Sequence, residues 1–276
     1  MRRVLVTMSV AVVLLAGCQF APDNLDHSKD LAHIHGLGVD PADGGLYAAS
    51  HNGLFKVTGK GEPKQVAGRT QDFMGFTVVG PRHFLGSGHP GEGDEEQPPN
   101  LGLIESTDAG ETWTSLSLSG KADFHAMEAK HDQVYGFDSQ TGQIMVSDDK
   151  KSWDERAVLP SADIAVSPGD ADEILATTEQ GVQRSTDGAK NFSTVAGSPT
   201  LIFIDWVSAD RLVGVAPDGA VHVSDDGATS WSKGGAVAGE PEAILAHGTA
   251  DVYVATGSAI YRSTDDGASF TVFQRL

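Results

Sequence analysis

Ser106-Thr107-Asp108-Ala109-Gly110-Glu111-Thr112-Trp113 is a box of the form S-x-D-x-G-x-x-W, and the chain repeats it. Further copies begin at Ser147 (SDDKKSW), Ser185 (STDGAKNF), Ser224 (SDDGATSW) and Ser263 (STDDGASF), their serines separated by 41, 38, 39 and 39 residues. A near-constant period of this size means an array of supersecondary units, none of which can bury its faces alone. Inside the box, Asp followed by Gly makes a tight turn: the carboxylate accepts local backbone N–H groups while Gly takes positive φ. The aromatic three residues after the glycine then folds back over the hairpin. The copy at Ser147 is one residue short and carries Lys151 where glycine is usual, so its turn is expected to be less regular.

Four strand-like runs, bounded by Gly, Asp, Asn or Pro, accompany each box. They divide the chain into units at about 33–69, which lacks a box, 70–119, 120–159, 160–197, 198–237 and 238–276. The expected fold is all-β: a six-bladed β-propeller with four-stranded antiparallel blades and the boxes at hairpins. The second unit is longer because it holds a breaker-rich loop from Gly88 to Pro99 (GHPGEGDEEQPP). The boxes resemble the BNR or Asp-box repeats of sialidase-like propellers, proteins often labelled glycosyl hydrolases, and the resemblance covers most of the chain. It implies a fold; it does not specify chemistry.

The chain has 276 residues, with 19 Lys+Arg against 38 Asp+Glu and a net charge of −19. No basic stripe is present to displace counterions from a phosphate backbone, which excludes a nucleic-acid binder. Residues 1–17 (MRRVLVTMSVAVVLLAG) join a basic start to a short apolar run and read as a signal peptide. The end, Leu15-Ala16-Gly17-Cys18, resembles a bacterial lipobox, and Cys18 is the only cysteine. Residues 18–32 are then a lipidated cysteine and a polar tether, and 33–276 the propeller. This predicts a lipid-anchored protein on the extracytoplasmic face of a membrane, with no intrachain disulfide.

The first strand of each blade lines the central channel of a propeller, so equivalent positions form rings. Aligning His35-Gly36-Leu37, Met74-Gly75-Phe76, His125-Ala126-Met127, Asp163-Ile164-Ala165, Asp205-Trp206-Val207 and Glu242-Ala243-Ile244 gives a first column of potential ligands or charges throughout. His33, Asp72 and Asp123 stand two residues earlier, on the same strand face. The turn between second and third strands adds His51, His89 and, nearby, Asp138 to this mouth. Phe73, Phe124 and Trp206 alternate away from the ring, into the core.

Three readings of the mouth stand side by side. The first is a metal site with His33, His35 and His125 as core ligands and His51, His89 and Met74 as additions; imidazole with thioether leans to copper, and the carboxylates suit zinc. The second is a glycoside-hydrolase pocket using two of Asp72, Asp123, Asp163, Asp205 and Glu242. A sialidase would need clustered arginines, and only seven follow residue 17. The third is a solvated lining in a scaffold whose partner is an envelope protein or a glycan. No phosphate loop occurs, so no nucleotide cofactor is implied.

Overall fold

The computed structural model describes residues 30–94 and 96–276. The signal peptide, Cys18 and all of the tether before residue 30 lie outside the described residues. Every described element is a strand, and 24 strands form six four-stranded sheets in plain sequence order. Blade 1 is β1 (Ile34–Asp40), β2 (Gly45–Ser50), β3 (Gly53–Val57) and β4 (Lys64–Gln65). Blade 2 is β5 (Asp72–Gly80), β6 (His83–His89), β7 (Leu103–Ser106) and β8 (Thr114–Ser117). Blade 3 holds β9 (Phe124–Lys130), β10 (Gln133–Asp138), β11 (Gln143–Ser147) and β12 (Asp154–Val158). Blade 4 holds β13 (Asp163–Val166), β14 (Ile174–Thr178), β15 (Gly181–Ser185) and β16 (Ser193–Thr194). Blade 5 comprises β17 (Phe203–Trp206), β18 (Leu212–Val215), β19 (Ala220–Ser224) and β20 (Ser232–Ala236); blade 6 comprises β21 (Pro241–His247), β22 (Asp251–Thr256), β23 (Ala259–Ser263) and β24 (Thr271–Arg275). This is the six-bladed propeller expected from the repeat, with blade boundaries where the sequence puts them.

All pairings within a blade are antiparallel, and the first strands of successive blades pack side by side around the channel. Each blade is one continuous stretch of chain, so no strand is shared where the ring closes. Blades 6 and 1 meet through side chains instead: Ile34, Leu37, Leu46 and Phe55 pack with Ala243, Tyr253 and Ile260. Gln274 adds a hydrogen bond to the Gly61 carbonyl. Phe73, Phe124 and Trp206 are buried, as their alternation requires.

The repeated turns show why the box has its residues. In the first copy Ser106 Oγ donates to Asp108 Oδ1 at 2.8 Å and accepts the Gly110 N–H at 2.8 Å, while Asp108 accepts the Thr112 N–H at 2.9 Å. The copies at Ser185, Ser224 and Ser263 repeat the serine bonds, to the N–H groups of Ala189, Ala228 and Gly267 at 2.9 Å. Two consecutive residues take positive φ in each of the four, for instance Gly227 at 65° and Ala228 at 63°. At Ser147 only Lys150 does so, at 62°, and the Lys151 N–H bonds Asp149 rather than the serine. The short copy is the irregular one, as expected.

Four first strands carry a β-bulge at their start. The register slips between Ile34 and Gly36, between Phe73 and Gly75, between Phe124 and Ala126, and between Pro241 and Ala243. The extra residues are His35, Met74, His125 and Glu242. A bulge re-aims its side chain and bends the strand. Small residues follow each one because the next blade is close: a Cβ on Gly75 would lie 2.5 Å from the Phe124 carbonyl oxygen, and one on Gly36 2.9 Å from Phe76 Cβ. Blades 4 and 5 pair without a slip. There the expected column is displaced: Ala126, Asp163, Phe203 and Ala243 occupy equivalent pairing positions, so Asp163 stands one place and Asp205 three places further along than His125 and Glu242 do.

Candidate metal centre at the channel mouth

The bulges and the turns between second and third strands bring histidines from blades 1 to 3 to one mouth. His35, the bulge residue of β1, places its Nε2 3.1 Å from Nε2 of His51 in the β2–β3 turn, the rings edge to face. His33 also meets His51 edge to face, with ring centroids 5.2 Å apart, and its Nδ1 is 3.9 Å from Glu242 Oε1. Asp72, at the start of β5, puts Oδ1 2.8 Å from His51 Nδ1. That contact is off the ring N–H direction, and Asp72 Oδ1 is buried with no hydrogen-bond partner. One ligand atom from each of His35, His51 and Asp72 falls within a 4.8 Å group.

The surroundings of His35 disfavour its protonation. Burial pushes His35 down to about 4, helped by the neighbouring His51, His125 and His33 and opposed by Asp72. Its imidazole is therefore neutral at pH 7, the form that ligates metals. Two nitrogens held at about 2.0–2.1 Å by one tetrahedral ion sit roughly 3.3 Å apart. The observed 3.1 Å between the Nε2 atoms needs almost no movement to match.

A second group centres on Asp123, beside the start of β9. Its Oδ2 receives His125 Nε2 at 2.9 Å and the Ser139 hydroxyl at 3.0 Å, and His89 Nε2 lies 3.8 Å away. The Asp138 carboxylate accepts the Asp123 N–H at 2.9 Å, which fixes the residue. Burial pushes the Asp123 carboxyl up, but the bonds from His125 and Ser139 outweigh it and hold the group below its ordinary value. The anticipated ligands thus divide. His35 lies against His51, His125 hydrogen-bonds Asp123, and His33 is a rim residue with a side chain 72% exposed. Met74 occupies the bulge of β5, half-buried, in the stretch that follows Asp72.

The remaining ring carboxylates work as staples between blades. Asp163 accepts N–H groups from Ile164 and, in the next blade, Ile204, both at 2.9 Å. Asp205 accepts the Ala246 N–H at 2.8 Å, and Glu242 the Ile34 N–H at 3.0 Å across the closure of the ring. Burial raises the carboxyls of Asp163, well above its usual range, and of Asp205. Below them the channel, about 500 Å³, holds Glu128 and Lys130, which ring alignment overlooks. Lys130 Nζ donates to the carbonyls of Val166 and Trp206 at 3.0 Å each and pairs with Glu128 at 3.3 Å. Two charged residues two apart on a strand otherwise rich in Ala and Met were the available signal.

No family model matches the chain, and no curated protein does. Solved structures similar to it are propellers. YCF48 bound to a D1 peptide is 17% identical with a TM-score of 0.54, covering 89% of this chain and 82% of that one. YCF48 from Cyanidioschyzon merolae is 12% identical at 0.58, covering 86% and 96%. A GH74 xyloglucanase from Xanthomonas campestris is 19% identical at 0.55, covering 88% of this chain and 38% of its own. Likeness at these identities establishes the propeller fold, in a chain whose Asp-box resemblance has no matching family behind it.

Proposed function

We propose that the protein is a lipid-anchored, extracytoplasmic propeller that binds a transition-metal ion at this mouth. His35 and His51 supply imidazoles and Asp72 a carboxylate, with His33 at the rim. The carrying observation is the pair of Nε2 atoms 3.1 Å apart beside a buried carboxylate oxygen that has no hydrogen-bond partner. Two imidazoles and a carboxylate suit copper(II) and zinc alike; a thioether from Met74 would add the preference for copper. Cys18, acylated after cleavage of residues 1–17, would hold the body at the membrane and near envelope proteins.

The hydrolase alternative has less support. Asp163, Asp205 and Glu242 are each committed to a backbone N–H of the following blade, and Asp123 to His125 and Ser139. The test is metal retention: the full chain, exposed separately to Cu(II) and Zn(II) and dialysed, keeps an ion that His35→Ala/His51→Ala loses. A parent that keeps none, or a double variant that keeps as much as the parent, overturns the reading. Turnover of glycosides that vanishes with Asp72→Asn would put the hydrolase in its place.

A further inference from the structure

Away from the histidines, the same end of the propeller carries a second feature, and it is apolar. A trough of about 680 Å³ spans blades 3 to 5, lined by the buried Phe137 and Leu201, the part-buried Leu159 and Ile202, and the exposed Pro160 and Pro217. Its volume falls among those of sites that hold organic ligands, roughly 300–1,000 Å³. Polar groups in the lining are already used within the chain. Thr177 Oγ1 donates to the Ile202 carbonyl at 2.8 Å, Thr178 Oγ1 to the Gly181 carbonyl at 2.8 Å and Ser161 Oγ to the Leu159 carbonyl at 2.7 Å. The N–H groups of Ala162 and Ile202 are paired as well. A sugar, which is recognised through hydrogen bonds, finds few partners in such a lining, whereas a ligand that buries apolar surface gains about 25 cal/mol per Å². Val158, at the end of β12 and next to Leu159, extends the patch and is 68% exposed. One exposed apolar side chain is ordinary; one that continues an apolar trough marks a binding surface.

Charge selects the occupant. The connections at this end of blades 3 to 5 and into blade 6 are residues 139–142, 159–162, 179–180, 195–202, 216–219 and 237–240. They contain Glu179, Asp218 and Glu240, all exposed, and no Lys or Arg. Glu179 lines the trough and Asp218 follows Pro217. In a chain of net charge −19, a second copy meets this edge with like charge, and an anionic membrane surface does the same. The chain's own segment 19–29 brings Asp23 and Asp26 against Lys29, again the wrong sign. Because the acids stand in different blades, the cations that answer them must sit at intervals along an extended molecule.

We infer that the trough docks a segment of a partner polypeptide in which apolar side chains are flanked by Lys or Arg. The apolar side chains fill the trough, and the cations reach Glu179 in blade 4 and Asp218 in blade 5. Rim charges of this kind act mainly on the association rate, and the desolvated apolar anchor on residence. The surface is separate from the histidines of blades 1 to 3 and does not depend on the reading of that mouth as a metal site.

The experiment pans a random peptide library on phage against the full chain in EDTA, so that no metal contributes, and measures the enriched peptides by fluorescence anisotropy. Enriched sequences are expected to join apolar residues to Lys or Arg. They should bind at least about 10-fold more weakly to Thr200→Trp, which fills the trough, and to Glu179→Lys. Both residues are exposed, so neither substitution opens the core. Glu62→Lys makes the same charge change in the β3–β4 turn at the opposite end and should leave binding as it is in the parent. No enrichment, or peptides that bind Thr200→Trp and Glu179→Lys as well as the parent, overturns the proposal. So does a dimer of the parent that Thr200→Trp dissolves, which gives the trough to a second copy. None of these outcomes bears on metal retention by His35 and His51.

Discussion

Blades 1 to 3 and blades 4 to 6 present polar side chains to the same mouth and use them in opposite ways. In the first half, His35, His51, Asp72, Asp123 and His125 interact mainly with one another, and two carboxylate oxygens have no hydrogen-bond donor. In the second, Asp163, Asp205 and Glu242 each accept a backbone N–H from the next blade. The backbone makes part of the difference. Bulges in β1, β5 and β9 re-aim one residue each, whereas β13 and β17 run straight and leave their acids within reach of the neighbouring strand; β21 is bulged as well, yet its Glu242 still reaches the Ile34 N–H. A ring of polar residues in a propeller is therefore not one feature: one half holds blades together, and the other keeps carboxylate oxygens without a donor.

The sharpest way to break this comparison is to truncate one residue in each half and measure both metal affinity and stability. His51→Ala should weaken metal binding by at least about 100-fold, the upper end of what losing even an outer metal partner costs, with little change in unfolding free energy. Asp163→Ala should do the reverse. It leaves the Ile204 and Ile164 N–H groups short of a partner and should cost about 2 kcal/mol in denaturant unfolding, with metal affinity unchanged. If both variants lose metal equally, the two halves are one network and the division fails.

The bulges themselves are the next target. A Cβ on Gly75 would press on the Phe124 carbonyl oxygen at 2.5 Å and on Met127 Sδ at 2.9 Å, and the backbone oxygen cannot move aside cheaply. Gly75→Ala should cost about 1–3 kcal/mol by urea unfolding. An alanine tolerated without loss would mean that blades 2 and 3 approach less closely than the bulged strands indicate.

Most of the fold was legible in the chain, and the reason is the box: Ser, Asp and a residue able to take positive φ form a self-contained turn whose bonds are local. Strand boundaries followed from it, and blade 1, which lacks the box, followed from length. The placement of His51 and His89 at the mouth was legible too, because it depends only on which turns point which way. The pairing of the histidines was not. His35 and His125 both sit on bulges that add a residue to their strands, and a slip of one residue exchanges the faces of a strand. The pairs His35-Gly36, Met74-Gly75, His125-Ala126 and Glu242-Ala243, each with a small residue second, were the trace of it. The staple role of Asp163 was hidden for another reason: its partner, Ile204, is 41 residues away.

The channel below the mouth sharpens the contrast through pH. Burial pushes Glu128 up to about 6, with Asp205 adding to the effect and Lys130 opposing it; Asp163 faces the same space and is raised as well. A carboxyl whose folded pKa is raised binds its proton more tightly folded than unfolded. Its contribution is complete below the unfolded value, near 4.5, and is lost as pH rises through 6. Glu128→Gln cannot titrate, so the stability of the parent relative to this variant should fall between pH 4.5 and 6 and level off above. A difference that is flat across that window would mean that Lys130 already holds Glu128 ionised.

The smallest effect contrasts two copies of the repeated turn. Ser224 is buried, donates to Asp226 at 2.9 Å and accepts the Ala228 N–H at 2.9 Å, so its hydroxyl closes the turn from both sides. Ser147 is equally buried but makes only a 3.3 Å contact to Asp149, the nearby N–H groups of Lys151 and Ser152 having gone to that carboxylate. Ser224→Ala should therefore cost about 1–2 kcal/mol, through a buried N–H left unpaired, and Ser147→Ala less than about 0.5 kcal/mol. The two substitutions delete the same atom from the same place in the repeat, so urea midpoints measured side by side report the value of the N–H groups that Ser224 accepts and Ser147 does not. Equal costs would show that the serine acts by packing alone, and the one-residue deletion in blade 3 would then have no energetic signature at this position.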